Sequence, residues 1–405
     1  MVIDKKLLEE LQKKYGDTFY ILDTEQFNSN YFNLENALKK YYSNSHISYS
    51  YKTNYIPRLC DIIKNNGGYA EVVSDMECEI ALRLGVEPKK IYYNGPYKRK
   101  ETLIDLIKMG VNVNIDSEYD FNIIKNYIDQ TGDKVRIGIR CNFDIGDDII
   151  SRFGFDVNSK EFETLLEDIR RNDNINVVGL HCHFATRDIK YWPNKVKGLL
   201  EIAHKRFDDS IEYLCFGGGI FGNIEESLKK QFSQYIPSYN EYAEIIGKLM
   251  AETYGKMGRI NLLIEPGSAL VGDVMKFVSK VVNIKEVRGR NIATLSGSVY
   301  NINPTLNGKN PPIEIIEMGD FEQKTYELLD MGGYTCIESD YLYRNYTGKC
   351  AVGDCVIFSN VGSYSVVLKP PFILPNCPVL EINKDEINLI KKQETFDDIF
   401  RTYIF

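Results

Sequence analysis

The chain has 405 residues, of which 43% are hydrophobic and 26% are charged. This composition is ordinary for a folded globular protein and excludes a disordered or fibrous one, and at about 150 residues per domain the length predicts two to three domains. The 49 basic and 57 acidic side chains leave a net charge of −8. So acidic a chain has no overall charge complementarity to nucleic acid or to an anionic membrane, and neither is expected as a partner.

The cysteines indicate a reducing compartment. There are nine, an odd number, and several stand in apolar runs, among them Cys60, Cys78, Cys141 and Cys215. This pattern is typical of reduced thiols and not of a disulfide framework. The first twenty residues carry charges every few positions and lack the apolar stretch of a signal peptide, and no run approaches the roughly 18 apolar residues that span a bilayer. We therefore expect a cytoplasmic protein.

Between residues 46 and 267, short β-branched or aromatic segments alternate with longer segments of helical period. Strands separated by helical crossovers form a parallel sheet, and eight such units in a row fit a closed (β/α)8 TIM barrel better than the alternative, an open doubly wound sheet. The predicted strands are 47–53, 69–74, 91–96, 112–116, 135–141, 177–184, 213–219 and 262–267.

From residue 268 onward the segments become strand-like, with Gly and Asn turns, which predicts an all-β C-terminal domain. The segment TFYILD (18–23) precedes the barrel and is expected to pair with that later sheet. The tail from residue 384 has the composition of a helix. The predicted organisation is an N-terminal segment 1–23, a barrel 24–267 and a β domain 268–405 with a helical tail.

Active sites of such barrels lie at the C-terminal ends of the strands, and reactive side chains stand at these ends here. They are Lys52, Glu71, Arg140, His181, His183, Gly217, Gly218, Gly219 and Glu265. A partly desolvated lysine at the end of an apolar strand can form a Schiff base with an aldehyde. Lys52 could instead reach solvent or pair with Glu71.

The glycine run 217–219 and the histidine pair each allow more than one interpretation. Successive glycines let backbone N–H groups approach an anion, and phosphate sites in these barrels favour the loop after the seventh strand; the alternative is a tight turn. His181 and His183 would share a face of a strand. They could ligate a metal, form core hydrogen bonds, or place one ring against a flat cofactor.

Motifs along nearly the whole chain resemble the fold-type III pyridoxal-phosphate-dependent decarboxylases, which include diaminopimelate and ornithine decarboxylases. These enzymes combine an alanine-racemase-like barrel with a β domain. The resemblance begins with the lysine motif YSYKTN, and further motifs follow in family order. They are GGYAEVVSDME (67–77), YYNGPYK (92–98), NVNIDS (112–117), IRCNF (139–143), SRFGFD (151–156), GLHCHF (179–184), FGGGI (216–220), IEPGSALVG (264–272), TCIESD (335–340) and GDCVIFSNVGSY (353–364).

The resemblance implies pyridoxal 5'-phosphate as the cofactor and amino-acid decarboxylation as the reaction. Lys52 would hold the cofactor as a Schiff base, His183 would stack on its ring, and Glu265 would bond the pyridine nitrogen and strengthen the ring as an electron sink. Gly217–Gly219 and Tyr364 would hold the phosphate.

Four further roles follow from the same resemblance. Glu71 would lie near the lysine where the family often has aspartate, Arg140 would brace the cofactor ring, and Glu77 would support them from behind. Cys336 would reach the site from the partner subunit and donate a proton to the decarboxylated carbon, which implies a homodimer with shared active sites.

Some departures from the family pattern concern the residues that would bind the cofactor phosphate. The family's E-P-G-R reads Glu265-Pro266-Gly267-Ser268 here, so an arginine is missing, and Ala185 and Thr186 replace the usual Gly and Ser. Phosphate binding would then depend on the backbone, Ser268, Thr186 and Tyr364, or on an arginine from elsewhere.

Other departures concern the substrate. Family members that bind a distal amino group place an acidic residue directly after the cysteine, where this chain has Ile337, and on an extended segment Glu338 would point to the other face. Diaminopimelate decarboxylases carry an arginine where Asn303 precedes Pro304. We therefore expect a non-standard or conjugated α-amino acid of a specialised pathway.

Several alternatives stay open on sequence grounds. The first is diaminopimelate decarboxylase proper, and the second is an amino-acid racemase that uses Tyr300 or Tyr341 as its second base. The third is a non-catalytic protein that binds pyridoxal phosphate. A metal-dependent hydrolase would depend on His181 and His183 only.

Overall fold

A computed structural model describes residues 3–207, 210–319, 321–383 and 386–404. The chain divides into two compact units. The barrel unit comprises Ser29–Gly222 and Gln234–Ala269, and the β unit comprises the N-terminal segment up to Asn28, Asn223–Ser233 and the chain from Leu270 onward. The β unit includes residues 223–233, which the predicted organisation placed in the barrel.

The strands of the described residues follow one another along both units. They are β1 Phe19–Leu22, β2 Ser45–Ser50, β3 Tyr69–Val72, β4 Ile91–Tyr93, β5 Asn112–Ile115, β6 Val135–Asn142, β7 Phe155–Asp156, β8 Ile175–His181, β9 Tyr213–Cys215, β10 Asn261–Ile264, β11 Met275–Val287, β12 Arg290–Leu295, β13 Ile313–Ile316, β14 Lys324–Gly332, β15 Tyr341–Cys350, β16 Cys355–Phe358, β17 Val379–Asn383 and β18 Glu386–Lys391.

The helices lie mainly between the barrel strands. They are α1 Lys5–Tyr15, α2 Thr24–Tyr41, α3 Pro57–Asn65, α4 Asp75–Arg83, α5 Lys100–Met109, α6 Glu118–Thr131, α7 Lys160–Arg170, α8 Trp192–Arg206, α9 Glu226–Lys229, α10 Tyr239–Tyr254, α11 Ser268–Val271, α12 Val299–Ile302 and α13 Phe396–Phe400. Of the helices in the described part of the chain, none has both the length and the hydrophobicity to cross a bilayer.

The barrel unit contains the closed parallel sheet that the sequence predicted. Within the described residues, eight strands pair in the order β2-β3-β4-β5-β6-β8-β9-β10, and β10 returns to β2. The short strand β7 adds to β6 outside this circle. Helices α5 and α6 end at Gly110 and Gly132, both in the left-handed conformation, as expected where a helix must stop and the chain must turn back to the next strand.

Tyr213 fills the interior of the barrel and requires glycine on the neighbouring strands. Its hydroxyl donates to Asn114 Oδ1 at 2.7 Å. A Cβ at Gly179 would lie 2.0 Å from Tyr213 Cζ, and one at Gly138 would lie 2.2 Å from the Tyr213 hydroxyl. These two glycines therefore make room for one large side chain. The buried residues packed with Tyr213 are Tyr92, Val178, Cys215 and Leu263.

The β unit is built on a mixed sheet in which the N-terminal strand is central. Strand β1 pairs antiparallel with β11 and parallel with β17, so the segment 18–23 does join the later strands. Helix α1 covers one face of this sheet. The packed core residues are Ile3, Leu8, Leu11, Phe19, Ile21, Val278, Cys355, Ile357, Leu380 and Ile382.

The prediction of a helical tail is wrong for most of its length. Glu386–Lys391 forms β18, which pairs antiparallel with β17, and a short helix, α13, follows. The sequence EINLIK alternates apolar and polar residues, which suits an edge strand once a partner such as β17 is available. Residues 384, 385 and 405 of the predicted helix lie outside the described residues.

We expect Gly179→Ala to destabilise the protein by about 1–3 kcal/mol, because the added methyl group must displace the Tyr213 ring in a close-packed barrel. The control is Gly332→Ala on β14, where the added Cβ meets nothing closer than 3.6 Å. Urea unfolding of both variants measures the effect. Equal stabilities for the two variants would contradict this account of the barrel interior.

Candidate active site

Lys52 stands just beyond the end of β2, in a single 3₁₀ turn, Tyr51–Thr53. Its Nζ lies 2.5 Å from Oε2 of the buried Glu71 on β3, while 32% of the lysine side chain stays exposed. Ser50 donates to the same Glu71 oxygen at 2.6 Å, and Asn94 donates to the other at 3.3 Å. The carboxylate thus fixes an amine that remains accessible from outside.

Glu265, directly after β10, forms the second buried acidic position. Its Oε1 accepts hydrogen bonds from Asn94 Nδ2 at 2.6 Å and from Cys215 Sγ at 3.0 Å, and His181 Nε2 lies 3.1 Å away. Burial alone would raise the pKa of Glu265, but the His181 ring, the Lys52 ammonium and the Cys215 hydrogen bond outweigh burial and hold that pKa well below its usual range. Glu265 is therefore an anion at neutral pH.

The two histidines have different surroundings. His181 ends β8 and is turned to Glu265, whereas His183 lies beyond the strand, so the predicted alternation along one strand does not apply to the pair. Burial, reinforced by the ammonium groups of Lys52 and Lys195, lowers the pKa of His183 well below its usual value. His183 is thus a neutral imidazole.

The glycine run follows β9 and is packed against both neighbouring loops. Gly217 and Gly219 have φ of +64° and +89°, a region that favours glycine. A Cβ would lie 2.9 Å from His183 Cβ at Gly217, 2.7 Å from the Glu265 carbonyl oxygen at Gly218, and 2.7 Å from the Thr186 carbonyl oxygen at Gly219. Only glycine fits at these three positions, and a backbone run without side chains is the kind of element whose N–H groups can bind a phosphate.

Lys195 lies beneath this loop. Its side chain is buried on α8, and its Nζ donates to the Gly218 carbonyl oxygen at 2.9 Å and lies 3.8 Å from the centre of the Trp192 ring. Burial lowers the pKa of Lys195 to about 8, and the neighbouring thiols and Glu265 oppose that shift. The lysine therefore fixes the conformation of the middle glycine.

Arg140 and Glu77 are buried close to these groups. Arg140 Nη1 lies 3.0 Å from Asp116 Oδ1, and its guanidinium covers the Phe153 ring at 4.6 Å. Glu77 on α4 accepts from the Val73 N–H at 2.8 Å. Burial, with the Glu71 charge nearby, raises the pKa of Glu77 to about 7 against the effects of Val73 and Lys52.

Thr186 and Ser268 carry hydroxyl groups at the edge of the glycine run. Thr186 Oγ1 accepts from the Asp188 N–H at 3.2 Å. Ser268 Oγ lies 3.4 Å from Arg187 Nη2 and accepts a long hydrogen bond from it. An arginine that the sequence analysis did not name is thus present next to the serine that replaces the family's arginine.

The β unit contains the remaining predicted site residues, Cys336 and Tyr364. Cys336 is exposed, and the other eight cysteines, all within the described residues, are buried without disulfide bonds. Tyr364 adopts φ +63°, which is unusual for a bulky residue and is typical of positions constrained by function.

The sequence interpretation assumed that the Cys336 segment is extended, but the structure shows a turn. In this turn the Asp340 N–H donates to the Ile337 carbonyl oxygen at 3.0 Å. Side chains in a turn do not alternate between two faces, so Glu338 is not directed away from Ile337 in the way a strand would require.

Sequence reasoning missed Asn94, Ser50 and Cys215, which bond the two buried carboxylates. The rule that selected Lys52 also applies to Asn94, a polar residue that follows the apolar strand β4. Cys215 was interpreted only as a reduced thiol in an apolar run, because nothing local shows that Glu265 lies opposite.

We expect the stability of the wild-type protein, relative to Lys195→Met, to increase with pH. The folded-state pKa of about 8 lies below the ordinary value near 10.4, so the unfolded chain binds more protons between these values and folding gains stability as pH rises. The gain from pH 7 to pH 9.5 is about 2 kcal/mol, measured as a difference in free energy of unfolding. A difference in free energy of unfolding that stays constant from pH 7 to pH 9.5 would contradict this expectation. The control is Lys108→Met, a substitution of an exposed lysine.

Comparisons with known proteins identify the family of the chain. The family profile "Pyridoxal-dependent decarboxylase, pyridoxal binding domain" matches residues 27–272. A diaminopimelate decarboxylase of Aquifex aeolicus is 24% identical, over 98% of this chain and 94% of its own length. One of Methanocaldococcus jannaschii is 26% identical, over 96% of this chain and 92% of its own length.

Solved structures show the same fold. The crystal structure of diaminopimelate decarboxylase from M. jannaschii superposes with a TM-score of 0.86 at 24% identity, covering 98% of this chain and 94% of that one. The barrel, the β domain and the pyridoxal-phosphate cofactor expected from sequence are thereby confirmed. The chain belongs to the family of pyridoxal-dependent decarboxylases.

Proposed function

We propose that the protein decarboxylates diaminopimelate and that its catalytic sites are shared between the two subunits of a homodimer. The observation that carries the reaction is the placement of Lys52, Glu71 and Glu265 at one edge of the barrel, linked through Asn94. The relatives from A. aeolicus and M. jannaschii, which match more than nine-tenths of the chain, are named diaminopimelate decarboxylases. The expectation of a specialised, conjugated substrate finds no support among them.

The residues present fit pyridoxal phosphate. The glycine run offers a phosphate cradle without side chains, because a Cβ at any of its three positions would collide with a neighbouring loop. Lys52 offers an accessible amine, and Glu265 offers a buried anion. When bound, the cofactor supplies a ring that accepts the electron pair left at Cα after loss of CO2. Lys52 would hold the cofactor covalently through its Nζ, with the aldehyde oxygen lost as water, and Glu71 would keep the amine in position.

Glu265 and His183 would tune the cofactor ring from two sides. The Glu265 carboxylate would hold a proton at the pyridine nitrogen, because an anion next to that nitrogen favours the protonated form. The neutral His183 imidazole could pack against the face of this cationic ring without charge repulsion. Arg140, held by Asp116 and Phe153, would stiffen the wall beside them.

Cys336 would donate a proton from Sγ to the carbon that has lost CO2. The thiol stands exposed in the turn before β15, as a group must if it is to serve the site of another subunit. The partner chain would thus complete each site, which makes dimer formation a condition for activity.

Diaminopimelate carries a second ammonium and a second carboxylate at its far end. Glu338, exposed in the same turn as Cys336, offers a carboxylate for that ammonium, so the isoleucine at 337 does not exclude such a substrate. An unpaired ammonium against isoleucine alone would cost several kcal/mol.

We expect meso-diaminopimelate to release CO2 faster than ornithine, lysine or their acylated derivatives, because only the first places both charged groups at the far end. Lys52→Ala should reduce this release to background while the protein stays folded. Lys89→Ala, whose side chain is 77% exposed, is the matched control and should keep wild-type activity.

The assay measures CO2 together with the stereoisomers of the amino acid, separated by chiral chromatography. Conversion of meso-diaminopimelate into its LL or DD isomer without CO2 would support the racemase alternative and contradict decarboxylation. Efficient turnover of an acylated amino acid with none of diaminopimelate would contradict the proposed substrate and leave the decarboxylase activity in place.

We expect a mixture of Lys52→Ala and Cys336→Ala subunits to regain about a quarter of wild-type activity. Random exchange gives half of the dimers as hybrids, and each hybrid has one site with both residues intact. The measurement is CO2 release after the two inactive variants are mixed and allowed to exchange. A mixture as inactive as its components would contradict the shared site.

A further inference from the structure

The glycine run offers hydrogen-bond donors to a phosphate but little charge of its own. Backbone N–H groups can surround the oxygens of an anion. A dianionic phosphate group is stabilised further by a positively charged side chain. On the side of β10, the position of the family's phosphate arginine is taken here by Ser268, whose hydroxyl is neutral. A charge from another part of the barrel unit is therefore needed.

Arg187 lies between the two loops that border the cradle. Its Nη2 is 3.4 Å from Ser268 Oγ, and its guanidinium is 5.3 Å from the centre of the Phe221 ring, two residues after the glycine run. The preceding residue, Thr186, directs its carbonyl oxygen at Gly219, 2.7 Å from where a Cβ would be. The arginine thus belongs to the rim of the cradle.

The backbone of Arg187 is fixed, while its guanidinium has few partners. The Tyr242 hydroxyl donates to the Arg187 carbonyl oxygen at 2.6 Å. The guanidinium has five N–H donors, and among the described residues its one hydrogen bond is the long contact to Ser268, with no carboxylate in ion-pair range. A half-buried arginine without an acidic partner is suited to receive an anionic ligand.

Lys195 is a less suitable candidate for the same role. Its ammonium is buried beneath the loop and donates to the Gly218 carbonyl oxygen. Burial also lowers its pKa to about 8, so part of its charge is lost just above neutral pH. Its contribution is to hold the loop, and the phosphate charge is left to Arg187.

We propose that Arg187 binds the phosphate group of the cofactor, in place of the arginine that Ser268 replaces. This inference rests on the proposed function, since it takes pyridoxal phosphate as the ligand of the glycine run. The guanidinium would donate to phosphate oxygens and keep Ser268 as a neighbour.

The test compares two probes that differ only in the phosphate, pyridoxal phosphate and pyridoxal. Equilibrium dialysis against the full-length, cofactor-free protein gives a Kd for each. Arg187→Met should weaken pyridoxal phosphate by roughly tenfold or more, the range for a hydrogen bond to a charged group, and change pyridoxal less than about twofold. Arg187→Gln should weaken the binding of pyridoxal phosphate to the same extent, and Arg187→Lys should weaken it less. The control is Arg171→Met, on an exposed helix end, which should bind both probes with the wild-type Kd.

Two results would overturn the inference. One is an unchanged Kd for pyridoxal phosphate in both neutral variants, and the other is an equal loss for both probes, which would indicate a purely structural role. If the wild-type protein itself bound no pyridoxal phosphate, the proposed function would fail and the inference with it. If the wild-type protein bound pyridoxal phosphate and released CO2, and Arg187→Met bound the cofactor equally well, only the inference about Arg187 would be wrong and the proposed function would stand.

Discussion

The site depends on the burial of two carboxylates on either side of one amide. Asn94 Nδ2 lies 2.6 Å from Glu265 and 3.3 Å from Glu71. Two anions in an apolar barrel are costly unless each has its own partners, and the structure gives Glu71 the Lys52 ammonium and Glu265 the His181–Cys215 pair. The Lys52 ammonium is therefore a structural counter-ion of Glu71, so its position follows from the stability of the barrel.

The charged side chains near the glycine run are cations, in contrast to the two buried carboxylates. The protein as a whole is acidic, yet the cations near this loop, Lys195 below it and Arg187 at its rim, have few or no acidic partners of their own. The positive field near the glycine run is thus local, set by side chains from α8 and from the loop after β8. Glycine at 217–219 is what lets His183 and the carbonyl groups of Glu265 and Thr186 approach the backbone so closely.

The sequence was sufficient for features that depend on local pattern. The barrel followed from the alternation of short apolar strands with helices, and Lys52, Glu71 and Glu265 followed from the rule that barrel sites form at strand ends. Features that depend on distant contacts were missed or misjudged. Arg187 meets Ser268 across 81 positions, and β18 is a strand because β17 offers it an edge.

The two substrate-related departures from the family, at Ile337 and at Asn303, are physically connected in the β unit. Buried Asp340 accepts from Thr335 Oγ1 at 2.6 Å and from the Val299 N–H at 2.7 Å, so it ties the Cys336 turn to α12. The Val299 carbonyl oxygen in turn accepts from the Asn303 N–H at 2.7 Å. Because one carboxylate fixes both segments, a change in one alters the setting of the other. The effect of either departure on the substrate therefore depends on the turn and α12 together.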